Sequence, residues 1–233
     1  MILFILTSDH KTYTLPSLLR WEIVYTGSVP CDSYSVTFLY DASMAEPLHL
    51  AAGFAAVEGG DIMLRGIVDE YTVELTAEGL TATVTGRGYA ARLLDNEALS
   101  QDYEIATLAD ILRDHVTPYG ISVGETTAMA PVSQFSVAAG SSEWSVLYDF
   151  ARYYNGICPR FDQLGRLILA PWDDRTEVML DSSVPVLRLV CRDRRYGVLS
   201  QVVVRDRYQK WTETVNNASF QALGGQRRQV VPM

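Results

Sequence analysis

The sequence predicts an α+β fold that is mainly β, because alternating patterns occupy both ends of the chain and helical periodicity occupies only its middle. Residues 1–95 contain short stretches rich in β-branched and aromatic residues, separated by turn signals. Apolar residues recur at helical spacing only within residues 96–170, and β patterns return between residues 171 and 233. The 233 residues, 48% of them hydrophobic, suffice for one or two domains with buried cores.

The first region begins with a strand rather than a targeting segment. Met1–Leu6 is apolar, but it is too short for the apolar core of a signal peptide and has no basic segment before it. Trp21–Tyr25 and Tyr34–Tyr40 alternate in the manner of half-buried strands, which predicts a small barrel or sandwich. No segment is long and apolar enough to span a bilayer, so we expect a soluble protein made in the cytoplasm.

A long hairpin is expected next. Ile62–Leu75 and Leu80–Thr85 are extended stretches joined by the short turn Ala77-Glu78-Gly79. Gly66 interrupts the first of these stretches, and we expect it to mark a β-bulge.

The middle region predicts two helices and a second hairpin. Thr107 is a suitable N-cap with Asp110 at the third helical position, and Pro118 and Gly120 end that helix. A second helix begins after Ser141 or Ser142 and stops at Asn155-Gly156. Two short strands, 157–161 and 166–170, then flank a turn at 162–165.

The last region predicts a further hairpin and an unpaired end. Val186–Arg194 and Val198–Tyr208 flank Arg195-Tyr196-Gly197. From Asn216 to Met233 the chain is polar and rich in Gly and Gln, so we expect a loop or a strand without a partner in the chain.

The net charge of −9 conceals a division along the chain. Between Arg188 and Arg228, nine Lys and Arg stand against three Asp and Glu, a net charge of +6. The preceding residues carry 10 basic and 25 acidic side chains, a net charge of −15. Such a division suits a subunit whose two ends meet different partners, but for a charge imbalance alone two solvated faces are the favoured explanation. Nucleic-acid binding by the basic end is less favoured, because few aromatics are interleaved with the basic residues.

No motif predicts catalysis, a cofactor or a metal. Gly86–Ala91 fits G-x-G-x-x-A, but the strand before it alternates like a half-exposed antiparallel strand, so we expect the glycines to let the chain turn into the next helix. Three cysteines (Cys31, Cys158, Cys191) and three histidines (His10, His49, His115) match no disulfide or zinc pattern. His115 lies on the apolar helix face, where a satisfied core or interface histidine is expected.

The order of these elements resembles that of phage baseplate or tail hub proteins, the late-control D and Mu-type hub group. The resemblance rests on residues 66–70, 83–89 and 91–95 for the end of the first barrel, on 107–112 with 118–121 for the first middle helix, and on 142–147, 155–156 and 165–169 for the second helix and its hairpin.

The resemblance implies two related small β-barrels with an inserted small α/β domain. The corresponding divisions are 1–95, 96–170 and 171–233. Family members usually continue further, and only about 60 residues follow Pro171, so the second barrel is expected to be partial in this chain. Three explanations stay open: this is a short hub, strands of a neighbour close the barrel, or the chain has been cut. The resemblance further implies that three copies form a ring of pseudo-sixfold symmetry, which joins a sixfold tail tube above to a threefold spike or tip below. It also implies that DNA passes through the lumen without specific binding, and that the subunit has no active site, cofactor or small-molecule substrate. The expected location is the virion tail, after assembly in the cytoplasm of the bacterial host.

Interface residues are expected in the basic region. Trp211 stands beside Arg207 and Lys210 and is the best candidate for an interface anchor, with a cap over the second β unit as the alternative. The other candidates are Arg194, Arg195, Arg207, Arg227 and Arg228. Two other functions stay open: the structural N-terminal part of a tail-associated cell-wall hydrolase, and a carbohydrate- or peptide-binding β module with an exposed aromatic groove.

Overall fold

The computed structural model describes residues 2–8, 11–26, 31–77, 79–172, 190, 195–206 and 211–232. The chain divides into two compact units, Met1–Asp174 and Arg175–Met233. Strands predominate and the helices are short, as predicted for an α+β chain that is mainly β.

The first unit opens with a seven-stranded antiparallel sheet. Its strands are β1 (Ile2–Ser8), β2 (Lys11–Thr14), β3 (Leu18–Val24), β4 (Ser33–Leu39), β5 (Gly53–Glu58), β6 (Asp61–Thr76) and β7 (Gly79–Gly88). They lie in the order β2-β1-β5-β6-β7-β4-β3. A short helix, α1 (Ala45–His49), connects β4 to β5. The predicted strands at the N-terminus and around residues 21–25 and 34–40 are confirmed.

One face of this sheet is a hydrophobic core. Phe4, Phe38, Phe54, Leu64 and Val84 are among its fully buried side chains. The Phe4 ring on β1 lies 5.9 Å from the Trp21 ring on β3, between centroids, so the sheet curls strongly. No ladder among the described residues joins the terminal strands β2 and β3, and closure into a barrel stays a prediction.

The long hairpin is confirmed, but its bulge is not where we expected it. Val68 pairs with Gly86 and Glu70 pairs with Thr85, which leaves Asp69 as the extra residue. Gly66 instead pairs in register on both sides, with Phe54 and Gly88. It is required because any Cβ at this position would overlap the carbonyl oxygen of Arg87.

The glycines of the G-x-G-x-x-A sequence also have a different cause from the one expected. Gly86 and Gly88 lie within β7, whose neighbours β4 and β6 are both antiparallel, so they are not the turn into the next helix. A Cβ on Gly86 would collide with the carbonyl oxygen of Ile67 and with the ring of Tyr34. Close backbone packing inside the sheet therefore explains Gly86.

The rest of the first unit packs two small sheets against helices. Its elements are α2 (Ala91–Leu94), β8 (Gln101–Ala106), α3 (Leu108–His115), β9 (Val123–Thr126), β10 (Val132–Val137), α4 (Glu143–Tyr148), β11 (Arg160–Phe161) and β12 (Leu167–Leu169). β10 pairs with β8, and β12 lies between antiparallel β11 and parallel β9. Ile111, Leu147 and Phe150 are completely buried in the core between them.

The predicted helix boundaries here are confirmed. The Thr107 side chain accepts a bond from the Asp110 amide while Asp110 accepts from the Thr107 amide, a reciprocal capping box. The Ser142 hydroxyl caps α4 by accepting from the Ser145 amide at 3.1 Å. The helix continues as a π-helical stretch, Asp149–Tyr154, which the sequence pattern did not predict, and Gly156 follows with a φ of +72°.

The second unit contains a three-stranded mixed sheet. Its elements are β13 (Gln201–Arg205), β14 (Thr212–Asn216), α5 (Ala218–Ala222) and β15 (Arg228–Pro232). β13 lies in the centre, antiparallel to β14 and parallel to β15. The prediction of a partnerless end after Asn216 is therefore wrong, because α5 carries the chain back and Val230 pairs with Val203. Of the predicted hairpin, the arm at 186–194 lies outside the described residues except for Val190.

Candidate assembly interface

Metal and thiol chemistry find no support in the parts of the chain that the structure describes. No group of three or more His, Cys, Asp or Glu side chains there could hold a metal ion. Cys31 and Cys158 carry free, half-buried thiols, and burial raises the pKa of Cys31 to about 11, so that its thiol stays protonated at neutral pH. Cys191 and His10 lie outside the described residues. No described helix is long and apolar enough to cross a membrane.

A histidine and a glutamate form a buried pair between α3 and α4. His115 is 2% exposed and Glu143 is 4% exposed, and the His115 Nδ1 lies 2.6 Å from the Glu143 Oε2. The hydroxyl of Tyr119 donates to the other carboxylate oxygen at 2.7 Å, and the hydroxyl of Tyr103 lies 3.0 Å from the His115 Nε2. The expectation of a satisfied core histidine is confirmed.

The network extends from the buried pair to partly exposed side chains. The Tyr103 hydroxyl donates to Asp114 at 2.9 Å. Burial, and to a smaller extent this hydrogen bond, raises the pKa of Tyr103. The hydrogen bond from the Tyr119 hydroxyl to Glu143 raises the pKa of Tyr119 to about 12. Since no buried side-chain nitrogen or oxygen among the described residues lacks a partner, we attribute to the network a stabilising role in the packing of α3 on α4.

A three-residue ion cluster fixes the bulge of β6. Arg87 on β7 donates two hydrogen bonds to Asp69, at 2.7 and 2.9 Å, and two to Asp95 beyond α2, at 3.0 and 2.7 Å. The hydrogen bonds from Arg87 hold the pKa of Asp95 below its ordinary value. Arg87 is thus fully engaged with two carboxylates, and the cluster keeps a net negative charge beside the start of the outer part of β6.

Beyond the bulge, β6 presents an open edge that we call the outer β6 edge, residues 70–75. Its side chains are exposed on both faces, and among the described residues its only ladder is with β7. Tyr71, Val73 and Leu75 project on one face, with Leu75 78% exposed. Glu70 and Glu74 project on the other. An apolar row on an unpaired strand edge is a surface that proteins normally cover by assembly.

The second unit presents a basic surface around β15. Arg227 donates to the carbonyl oxygen of Tyr196, which brings it to the turn that contains Arg195. Arg228 donates to the side-chain oxygen of Gln201 at 2.5 Å. A polar cavity of about 470 Å³ lies beside them, lined by Ser200, Gln201, Gln221 and residues 224–228.

The structure thus brings together three of the predicted interface residues, Arg195, Arg227 and Arg228. Trp211 is 49% exposed just before β14, and its carbonyl oxygen accepts a bond from the Asp206 amide at 3.0 Å. Arg194 and Arg207, with Lys210, lie outside the described residues. Sequence reasoning missed the outer β6 edge: the alternation of Tyr71, Val73 and Leu75 predicts a strand but does not reveal that a neighbour is missing.

Comparison with known proteins identifies related sequences and related folds. Residues 90–171 match the family of the second domain of gp44-like baseplate hub proteins. A segment of 67 residues is 36% identical to the baseplate hub protein gp44 of Escherichia phage Mu. That segment is 28% of this chain and 18% of the Mu protein, so the chain matches less than a fifth of this relative.

Solved structures share the fold over nearly the whole chain. The tail protein from Neisseria meningitidis MC58 matches with a TM-score of 0.74 at 15% identity, over 100% of this chain and 71% of that protein. The 43 kDa tail protein of prophage MuSo2 from Shewanella oneidensis matches with a TM-score of 0.69 at 18% identity, over 99% and 72% of the two chains. The prophage tail protein gp18 from Listeria monocytogenes EGD-e matches with a TM-score of 0.65 at 10% identity, over 100% and 72%.

Proposed function

We infer that this chain belongs to the phage baseplate and tail hub family and is a structural subunit of the hub, and that three copies form a pseudo-sixfold ring between the tail tube and the central spike or tip. Its function then lies in its interfaces and not in catalysis. Family membership implies a location in the virion tail; assembly in the host cytoplasm is part of the proposal.

The observation that carries the proposal is the position of the gp44-like domain within the chain. Residues 90–171 match the second domain of that family, with the seven-stranded sheet before them and the mixed sheet of the second unit after them. A hub subunit that has β domains on both sides of a small α/β domain requires this order of elements.

We assign residues 1–95 to a first barrel, 96–170 to the α/β domain and 171–233 to a second barrel, complete or partial. The approach of the Phe4 and Trp21 rings supports the first assignment, because β1 and β3 stand near opposite ends of the strand order. The described residues of the second unit form three strands, which are too few for a closed barrel alone, so a complete barrel would need further strands, for example from a neighbouring copy.

The division of charge supports a role between unlike partners. An acidic region up to Leu187 and a basic region from Arg188 suit stacking on rings of different charge, and an acidic lumen would repel the DNA that passes through it. Replacing Arg194 and Arg195 with Glu is expected to weaken capture of the adjoining ring in a pull-down. Unchanged capture contradicts the stacking role, and a net basic lumen in a solved ring contradicts the DNA-repelling role.

A carbohydrate-binding module is the second candidate, since a cavity of about 490 Å³ in the first unit is lined partly by Tyr25, Phe161 and Trp172. These aromatics already have partners: the Arg160 guanidinium lies 4.3 Å from the centre of the Trp172 ring, and Tyr25 donates to the Met63 carbonyl at 2.7 Å. Titration with soluble peptidoglycan fragments, followed by tryptophan fluorescence, separates the candidates. Saturable quenching that Trp172→Ala abolishes favours the module. For the hydrolase alternative, no described group of residues provides a specific argument.

The first test of the hub is the mass of the protein in solution. Size exclusion with light scattering over a salt series is expected to give about three times the chain mass of 25.9 kDa, with dissociation at high salt if the divided charge contributes. A monomer at every concentration and salt level counts against self-assembly into a ring.

A further inference from the structure

We propose that β15 of a second copy of this chain pairs with the outer β6 edge, so that one sheet continues from each copy into the next. This inference rests on the proposed ring and specifies the contact that forms it.

The first argument is that both strands lack a second partner among the described residues. Within the described ranges, the outer β6 edge pairs only with β7, and β15 pairs only with β13. The lengths are similar, because the outer β6 edge has six residues and β15 has five. Pro232, which has no amide hydrogen, stands at the end of β15, as is usual for edge strands.

The charges favour pairing of the outer β6 edge with β15 rather than with β14, the other edge strand of the second unit. The outer β6 edge carries Glu70 and Glu74 and no basic residue. β14 carries Glu213 and no basic residue, so it would repel this edge, whereas β15 begins with Arg228 directly after Arg227. Opposite charges across a strand pair are stabilising and like charges are not.

The alternation of side chains agrees with the same pairing. When Arg228 stands beside Glu70 or Glu74, Val230 shares its face, and Val231 falls on the other face with Tyr71 and Val73. The exposed apolar row of β6 is then extended by a valine of the second copy. Thr72 stands opposite Val230 whether the strands run parallel with Arg228 beside Glu70 or antiparallel with Arg228 beside Glu74.

The contact joins two different surfaces, since β6 belongs to the first unit and β15 to the second. A contact between unlike surfaces is heterologous, and its repetition produces a closed ring when the rotation between copies permits. This geometry therefore leads to a ring, whereas pairing of β6 with β6 would stop at a dimer.

The test is disulfide formation between two different chains. One chain carries Thr72→Cys, and the other carries Val230→Cys with a fusion tag that changes its size. Both also carry serine at positions 31, 158 and 191, and light scattering first establishes that the mixed chains keep their oligomeric state. Mild oxidation is expected to yield the mixed disulfide at least about tenfold above the matched pair Thr72→Cys with Thr214→Cys on β14, because opposed residues have Cβ atoms within about 5.5 Å.

The outcomes separate this contact from the ring itself. A trimer that forms the Thr72–Val230 disulfide between chains supports the contact. A trimer that lacks it, or that cross-links through β14 instead, overturns the contact and leaves the ring standing. A disulfide that forms only when both cysteines are in one chain also overturns it, while a monomer without cross-links contradicts both the contact and the proposed function.

Discussion

The Nδ1 atom of His115 lies 2.6 Å from the Oε2 atom of Glu143, with both side chains buried at the contact of α3 and α4. Two polar side chains that are 28 residues apart in sequence thus meet in the interior of the α/β region. A buried pair of this kind is costly to break, because removal of one partner leaves the other without compensation.

The Glu143→Ala variant is expected to lose about 3 kcal/mol of unfolding free energy, since both His115 and the Tyr119 hydroxyl lose their acceptor. Urea denaturation followed by circular dichroism measures the change. Glu125→Ala, on exposed β9, is the matched control and is expected to change stability by less than about 0.5 kcal/mol. Equal losses in the two variants would contradict a stabilising role for the pair.

The Arg87 cluster predicts a pH dependence. Because Arg87 lowers the pKa of Asp95 in the folded chain, the cluster stabilises the fold above the ordinary Asp pKa of 3.8, and this contribution is lost as the pH falls through the folded value. Arg87→Gln should therefore be less stable than the unchanged chain near neutral pH, by about 1 kcal/mol or less for so exposed a cluster, and the difference should shrink in acid. Denaturation at several pH values measures it, with Arg65→Gln on the same hairpin as control. A difference that persists in acid rules out this explanation.

The two halves of β6 should respond differently to substitution. Leu64 is buried and Leu75 is 78% exposed. Leu64→Ala is expected to cost about 3 kcal/mol through the cavity it creates, whereas Leu75→Ser should leave thermal unfolding of the isolated chain nearly unchanged and reduce the trimer fraction. Scanning calorimetry and light scattering on the same samples distinguish the effects. A Leu75→Ser protein that assembles normally contradicts a contribution of Leu75 to assembly.

Charge exchange should identify the partner of β15. Arg228→Glu is expected to raise the dissociation constant of the assembly at least tenfold, which corresponds to about 1.4 kcal/mol. The reason is that the new carboxylate would face Glu70 or Glu74 in the proposed contact. Glu70→Arg with Glu74→Arg in the same chain should restore much of the loss. Light scattering over a dilution series gives the constants. Failure of the compensating changes to rescue Arg228→Glu argues that Arg228 acts elsewhere.

Local features of the fold were predictable from the sequence, and relations between distant strands were not. The capping residues Thr107 and Ser142 act within three residues of themselves, so their signals are complete in the sequence. The bulge at Asp69 depends on the register of β6 against β7, and glycine at position 66 gave a misleading local cue. Likewise, the polar composition after Asn216 concealed β15, whose pairing with β13 depends on the return of the chain through α5.

Of the candidate interface, only the basic residues could be named from the sequence, and their role in an interface stays a prediction. Arg195, Arg227 and Arg228 stand out from the charge pattern, and the structure gathers them in one unit. The outer β6 edge was not predictable, because a strand pattern specifies which side chains alternate and not whether a neighbouring strand is present.

The extra residue at Asp69 also changes which residues of β6 face the core. Before it, the even-numbered positions Leu64 and Val68 point inward; after it, the odd-numbered Tyr71 and Val73 lie opposite the inward-facing Val84 and Ala82. A deletion of this one residue would move the apolar row to the opposite face of the sheet and bring the glutamates onto the face of Val84 and Ala82. Changes of length in this strand are therefore compatible with its pattern only in steps of two residues, which constrains how related sequences can diverge along the hairpin.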